Sequence, residues 1–165
     1  MDLRERLSLL GYKGKSLKAA LLAFQHDFHI HSSGKLSRKT IPRLKQLTQG
    51  NVTLNLLARV IYSEAVGEPY IGKVAVGAVV LNRLASSDFP DTLVRVIIEP
   101  LAFAVIGDGR FWLKPNLIAY KAARDALKGK DPTKGCLYFF NPDKSTSKWI
   151  RRLKPKLRIG RHVFA

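Results

Sequence analysis

Leu57-Ala58-Arg59-Val60-Ile61-Tyr62-Ser63-Glu64-Ala65-Val66-Gly67-Glu68-Pro69-Tyr70 is the stretch on which the fold of this chain turns. Up to the break, Leu54, Leu57, Ala58, Ile61 and Ala65 recur at the spacing of one helix face. Gly67 weakens the next turn, and Pro69 drives the residue before it out of the helical region, so the helix stops here. Beyond the break, Tyr70 to Leu84 is apolar on nearly every side through Val74, Ala75, Val76, Val79, Val80 and Leu81. That pattern predicts a second helix buried all round, its length favouring helix over strand.

Outward from this pair, residues 1–48 read as three short helices. Leu3, Leu7 and Leu10 mark the first, which stops at Gly11. Leu17, Leu21, Leu22, Phe24 and Phe28 mark the second, opening after Ser16, and Ile41, Leu44 and Leu47 the third. Thr40 is expected to cap the third helix, with Pro42 tolerated in its first turn. The polar stretch Thr48-Gln49-Gly50-Asn51 is the expected domain boundary, with few core contacts crossing it. Toward the C-terminus the sequence predicts helices over 91–98 and 116–128, with Asn116 as cap and Gly129 as terminator. The character then changes. Leu137-Tyr138-Phe139-Phe140 and the run Arg158 to Phe164 are aromatic and β-branched, as strands of a small sheet would be.

The balance of 46% hydrophobic and 25% charged residues is that of a globular protein with a packed core. No apolar run is long enough to span a bilayer as a helix. The start, Met1-Asp2-Leu3-Arg4-Glu5-Arg6, lacks the basic-then-apolar layout of a secretion signal, so export is either absent or relies on a signal outside this sequence. Cys136 stands alone and reads as a structural thiol. Lys and Arg number 29 against 12 Asp and Glu, a formal net charge of +17. Such a field attracts polyanions: nucleic acid, an anionic membrane surface and an anionic wall polymer all fit it. Its densest run, from Lys144 to Arg161, holds eight basic residues and no acidic one.

Glu64 falls in the last turn of an apolar helix, where the negative end of the helix dipole and partial burial both disfavour its ionised form. A raised carboxyl pKa suits a general acid, while a solvated surface glutamate is the plain alternative. Glu68 follows four residues later and would share its face only if the helix continued. Asp108, within Gly107-Asp108-Gly109, is either a turn-former bonding its own backbone or part of a site. Tyr138-Phe139-Phe140, Asn141 and Trp149 form either a stacking surface with an amide for hydroxyls or ordinary strand packing. His26, His29 and His31 match no zinc spacing, so no metal site is expected. Ser63 lacks the partners of a catalytic triad.

The run 57–70, continued by Gly72-Lys73-Val74-Ala75-Val76-Gly77-Ala78-Val79-Val80-Leu81-Asn82-Arg83, resembles the spore cortex-lytic enzyme (SleB/CwlJ) cell-wall hydrolase family. The resemblance extends through Phe89-Pro90, Phe103, Asp108-Gly109, Ala122 to Leu127, Asp131-Pro132-Thr133, Leu137-Tyr138, Asn141-Pro142, Ser147 to Ile150 and Ile159 to Phe164. Residues 3–47, with Leu10-Gly11-Tyr12, Phe24-Gln25 and Gly34 to Thr40, are similar to the three-helix peptidoglycan-binding module often attached to such enzymes.

The resemblance implies an α+β, mainly helical chain. Residues 54–165 would be a lysozyme-like lytic transglycosylase domain with a small β element, preceded by a three-helix module over 1–48. It implies cleavage between N-acetylmuramic acid and N-acetylglucosamine, in spore cortex breakdown during germination. Glu64 would be the catalytic acid and base, with Glu68, Phe103, Asp108, Tyr138, Asn141, Ser147 and Trp149 binding substrate. Where ordinary glycosidases need two carboxylates, such an enzyme needs one, because the muramic acid C6 hydroxyl replaces water and leaves a 1,6-anhydro end. Two departures stand out: Ala104 follows Phe103 where the family usually has a hydroxyl residue, and Phe139 and Phe140 stand where tyrosines are common. No cofactor or metal is expected. The expected partner is peptidoglycan, with a regulatory protein possible; nucleic acid and a membrane span are not expected, and the chain is expected to be a monomer acting outside the cytoplasm. A hydrolytic muramidase, a muramoyl-peptide amidase and a catalytically silent wall-binding protein are the alternatives.

Overall fold

A computed structural model describes residues 1–99 and 105–165. In chain order its elements are α1 (Leu3–Leu9), α2 (Leu17–Asp27), α3 (Thr40–Leu47), α4 (Val52–Glu64), α5 (Tyr70–Ala85), α6 (Leu93–Ile98), α7 (Leu117–Leu127), β1 (Phe139–Phe140), β2 (Leu157–Ile159) and β3 (His162–Phe164). Short 3-10 turns at Arg110–Trp112 and Ile150–Arg152 link them. Among the described residues no helix is long and apolar enough to cross a membrane.

Side-chain caps set most helix starts. Asp2 and Glu5 form a reciprocal capping box on α1, Ser16 accepts the Ala19 amide at α2, and Asn51 and Asn116 do the same at α4 and α7. Two expected starts are corrected. Thr40 does not cap α3: Ser37 Oγ accepts the Thr40 amide at 3.0 Å, and the Thr40 hydroxyl is buried against Ser37 and Gln25. The helix expected from Asp91 begins at Leu93, because Thr92 Oγ1 takes the Arg95 amide and so makes Thr92 the cap.

The interior is built on α5. On one side Val74, Val76 and Val80 meet Leu57, Val60 and Ile61 of α4, and Ala119, Ala122, Ala123 and Ala126 of α7. Gly77 lets these three helices close up, since a Cβ there would stand 2.9 Å from Ile61 Cδ1 and 3.1 Å from Ala126 Cβ. Its helix penalty of about 1 kcal/mol is offset by that approach. On the other side Ala75 and Val79 pack with Cys136 and Phe164, against Phe139, Leu157 and Ile159 of the sheet. Helices in front and a sheet behind explain why α5 is apolar all round. Cys136 is a buried structural thiol whose Sγ donates to the Thr133 carbonyl at 3.2 Å.

The sheet is antiparallel in the order β1-β3-β2, with Phe139 opposite Phe164 and Ile159 opposite His162. The run 158–164, expected as a strand, is therefore a hairpin that reverses at Gly160 and Arg161.

The N-terminal helices are tied together by Gln25. Its fully buried amide donates to the Lys35 carbonyl and Thr40 Oγ1 and accepts the Ser33 and Gly34 amides, so both N–H donors and both oxygen lone pairs are used internally. The expected sparse packing across 48–51 is not found. Leu7, Leu21, Phe24, Phe28, Leu44 and Leu47 belong to the same apolar cluster as the α4 and α5 interior. Three helices of this length bury too little surface by themselves, and a shared core is the physical remedy.

Candidate active site

Glu64 is the last residue of α4, at the mouth of a cleft of about 510 Å³. Burial raises its carboxyl from 4.5 to about 7; Arg110 and Arg83 pull it down while Asp108 pushes it up. Among the described residues none donates a hydrogen bond to this carboxyl, so the two arginines offset its burial only in part. Beside it, Ser63 turns its hydroxyl back onto the Arg59 carbonyl at 2.7 Å, which leaves it no part as a nucleophile.

Arg110 holds the lip next to Glu64. Its Nη1 donates to the Ser63 carbonyl at 2.9 Å, while Nε and Nη2 grip Asp108 at 2.8 and 2.7 Å. Asp108 also accepts the Arg110 amide at 3.0 Å, the self-bonding turn anticipated for it. These hydrogen bonds keep its carboxyl below the usual range. Asp108 thus reaches the site through Arg110, which sequence reasoning missed; an acid two residues before an arginine in a Gly-flanked turn was the available signal. Arg59, also missed, is a lone cation in the apolar face of α4. It is buried, with its guanidinium on Asn55 and on the Phe111 and Leu113 carbonyls.

The opposite side of the cleft comes from the sheet and the loop between β1 and β2, with Phe139, Phe140, Asn141, Lys144, Ile150, Arg161 and His162 in the lining. Glu68 also lines the cleft, but its carboxylate serves the fold. Oε2 accepts the Arg161 amide at 3.0 Å and Oε1 lies 3.8 Å from the Arg161 guanidinium. The close seat requires glycine at 160, which has φ +57°; a Cβ there would collide with the Glu68 carboxylate. His162 is buried with Nδ1 unpartnered among the described residues, and burial lowers its pKa, favouring the neutral ring.

Of the expected site residues, Glu64, Glu68 and Asn141 are brought into one cleft. Asn141 spends its side-chain oxygen on the Asp143 amide at 2.9 Å. Tyr138, Ser147 and Trp149 flank the cleft without lining it. Trp149, 57% exposed, packs edge-on to Tyr138 at 5.3 Å, and Ser147 Oγ takes the Ile150 amide at 3.4 Å. Phe103 lies outside the described residues. His26, His29 and His31 are exposed, and His26 pairs with Asp27.

A family model described as Cell Wall Hydrolase matches residues 67–165, beginning just after Glu64. The spore cortex-lytic enzyme of Bacillus cereus is 50% identical over 111 residues, 67% of this chain and 43% of that protein. Its counterpart from Bacillus subtilis is 49% identical over 114 residues, 69% of this chain and 37% of that protein. This chain therefore spans less than half the length of these relatives. Cell wall hydrolase CwlJ of Bacillus subtilis is 34% identical over 95 residues, 54% of this chain and 67% of that protein. Among solved structures, the catalytic domain of Bacillus cereus SleB superposes with a TM-score of 0.64 at 50% identity, covering 68% of this chain and 88% of that one. The catalytic domain of the germination-specific lytic transglycosylase SleB from Bacillus anthracis gives 0.66 at 47% identity, covering 71% and 96%. The α+β, mainly helical, lysozyme-like fold with a small sheet is as the sequence led us to expect. The chain belongs to the Cell Wall Hydrolase family, that of the spore cortex-lytic enzymes and CwlJ.

Proposed function

We propose that this chain is a peptidoglycan lytic transglycosylase that cleaves between N-acetylmuramic acid and N-acetylglucosamine, with Glu64 as both acid and base. The observation that carries the reading is a carboxyl that burial raises to about pKa 7 with no hydrogen-bond donor among the described residues, open to a cleft whose other carboxylate, Glu68, is engaged by Arg161. Protonated Glu64 gives its proton to the glycosidic oxygen as the bond from C1 of the muramic acid breaks. The carboxylate then removes the proton of the C6 hydroxyl, whose oxygen closes on C1. Glu64 ends reprotonated and no water is consumed. A water-using retaining or inverting glycosidase would need a second free carboxylate, which disfavours the muramidase reading.

Arg110, Lys144 and Arg161 along the cleft suit an anionic wall polymer. The names of the relatives support spore cortex, outside the cytoplasm, as the place of action. Residues 1–48 add affinity for the same polymer. The test is mass spectrometry of fragments released from purified peptidoglycan. The parent chain should give 1,6-anhydro ends, and Glu64→Gln should lose about a hundred- to ten-thousand-fold in rate while keeping wall binding. Reducing ends would mark a muramidase and free peptides an amidase; near-parent turnover by the variant would remove Glu64 from the chemistry.

A further inference from the structure

We infer that residues 1–48 are a working part of the catalytic unit: Phe28, Arg43 and Gln46 brace the 110–113 turn so that Arg110 stays seated against the end of α4. This rests on the reading of Glu64 as the proton-transferring group and names what positions its neighbour.

The turn has little to hold itself. It is a single 3-10 turn, closed by the Trp112 amide on the Gly109 carbonyl and the Leu113 amide on the Arg110 carbonyl, both at 3.1 Å. Its place is set from two sides. From within the catalytic part, Arg59 of α4 donates to the Phe111 and Leu113 carbonyls at 3.1 and 3.2 Å. From the N-terminal helices, Phe28 stacks on Phe111 at 6.0 Å and packs on Trp112 at 5.4 Å. The Arg43 guanidinium covers the Trp112 ring at 4.3 Å, and Gln46 Nε2 donates to the Trp112 carbonyl at 3.0 Å. Phe28 is 2% exposed and Phe111 fully buried, so this is core packing.

Arg110 opens the same turn and touches the Ser63 carbonyl, one residue from Glu64. A brace that moves the turn therefore moves a positive charge beside the acid. Around Glu64 the titratable groups are Arg110 and Asp108 on the turn, Arg83 on α5, and Glu68, Lys144, Arg161 and the neutral His162 across the cleft. Of these, only the Arg110–Asp108 pair rides on the segment that the N-terminal helices hold. Arg110 favours the ionised carboxylate and Asp108 opposes it, with Arg110 the larger influence. Loosening the turn weakens both, and the net change raises the affinity of Glu64 for its proton. Phe28, Arg43 and Gln46 are thus positioning residues that act through Arg110.

The experiment uses the full chain with Phe28→Ala, the milder pair Arg43→Gln with Gln46→Ala, and Arg110→Gln as reference. Cleavage of short soluble glycans is followed against pH, and the Glu64 carboxyl is titrated by NMR. Both brace variants should lose about three- to tenfold in rate through misplacement at the site. Both should move the alkaline limb and the Glu64 titration upward by about half a unit, in the direction of Arg110→Gln. Adding Arg110→Gln to the pair should bring little further shift. Tyr12→Phe, which removes a bond to Asp27 inside the N-terminal helices, should leave the profile unchanged. If the pair, folded by its thermal transition, keeps the parent titration of Glu64, the inference falls, whether or not wall sedimentation weakens. Because the titration is read without turnover, a chain that cleaves nothing refutes the proposed activity and leaves this measurement decisive for the brace.

Discussion

Glu64, on the helical side of the cleft, and Glu68, held by the sheet side, are four residues apart and both largely withdrawn from water, yet only one of them meets a hydrogen-bond donor. Glu64 ends α4 with no hydrogen-bond donor among the described residues, and its proton affinity rises until it can act as an acid near neutral pH. Glu68, within the Gly67–Pro69 break, meets the Arg161 amide and guanidinium and fastens the β2–β3 hairpin to the loop before α5. Burial without a hydrogen-bond donor raises a carboxyl's proton affinity; burial with one holds structure together.

The largest test of this contrast is to remove the latch. Glu68→Ala leaves the Arg161 amide without its acceptor, which costs about 1 to 3 kcal/mol by the usual price of a lost partner. A displaced hairpin should lower the cleavage rate by about ten- to a hundredfold. Gly160→Ala should act alike from the other chain segment, since the added methyl meets the Glu68 carboxylate at a left-handed φ of +57°. Hydrogen exchange at the Arg161 amide should accelerate in Glu68→Ala. A variant with parent exchange and parent rate would break the contrast and return Glu68 to the pool of substrate contacts.

A subtler effect concerns stability on the helical side. The folded Glu64 carboxyl, near 7, lies above its unfolded value near 4.5, so folding is favoured below about 4.5 relative to higher pH, and that increment is lost as pH rises through about 7. Glu64→Gln removes the buried charge. It should raise the melting temperature relative to the parent at pH 8, by the equivalent of roughly 3 kcal/mol, with the gap closing toward pH 4. An equal gap at both pH values would mean that packing, not ionisation, separates the two chains.

The sequence carried the helical side well. The apolar stripe of α4, the break at Gly67 and Pro69, and the all-round apolar α5 follow from local periodicity, and Glu64 could be placed at a helix end before any contact was known. The sheet side was legible only as composition. Nothing local says that Gly160 and Arg161 turn a hairpin or that its amide meets Glu68, 93 positions away in sequence. Arg110 was hidden for the same reason, its partner Ser63 lying 47 positions back. The shared core with the N-terminal helices was also missed, since a polar linker signals chain flexibility but not what the flanking helices press against.

The smallest effect expected belongs to the basic run on the sheet side. From Lys144 to Arg161, Arg161 alone has a carboxylate partner among the described residues, and that partner is Glu68. Arg151 and Arg158 place their guanidinium groups on the Pro142 and Gly160 carbonyls, which orders them without neutralising them. Arg151, Arg152 and Lys154 are exposed, beside a turn that carries Ile150 into the cleft lining. A side of the cleft that keeps unneutralised cations in water is suited to holding an anionic polymer across from the Glu64 carboxyl. Replacing Arg151, Arg152 and Lys154 together by Gln should weaken sedimentation with peptidoglycan about three- to tenfold at low salt, as expected for a few exposed charge pairs. The difference from the parent should fade as salt shortens the screening length to about 8 to 10 Å. Turnover of short soluble glycans should not change, because none of the three lines the cleft. A loss of equal size at every salt concentration would instead make these side chains direct contacts to the substrate, and binding equal to the parent at low salt would confine the attraction to the cations inside the cleft.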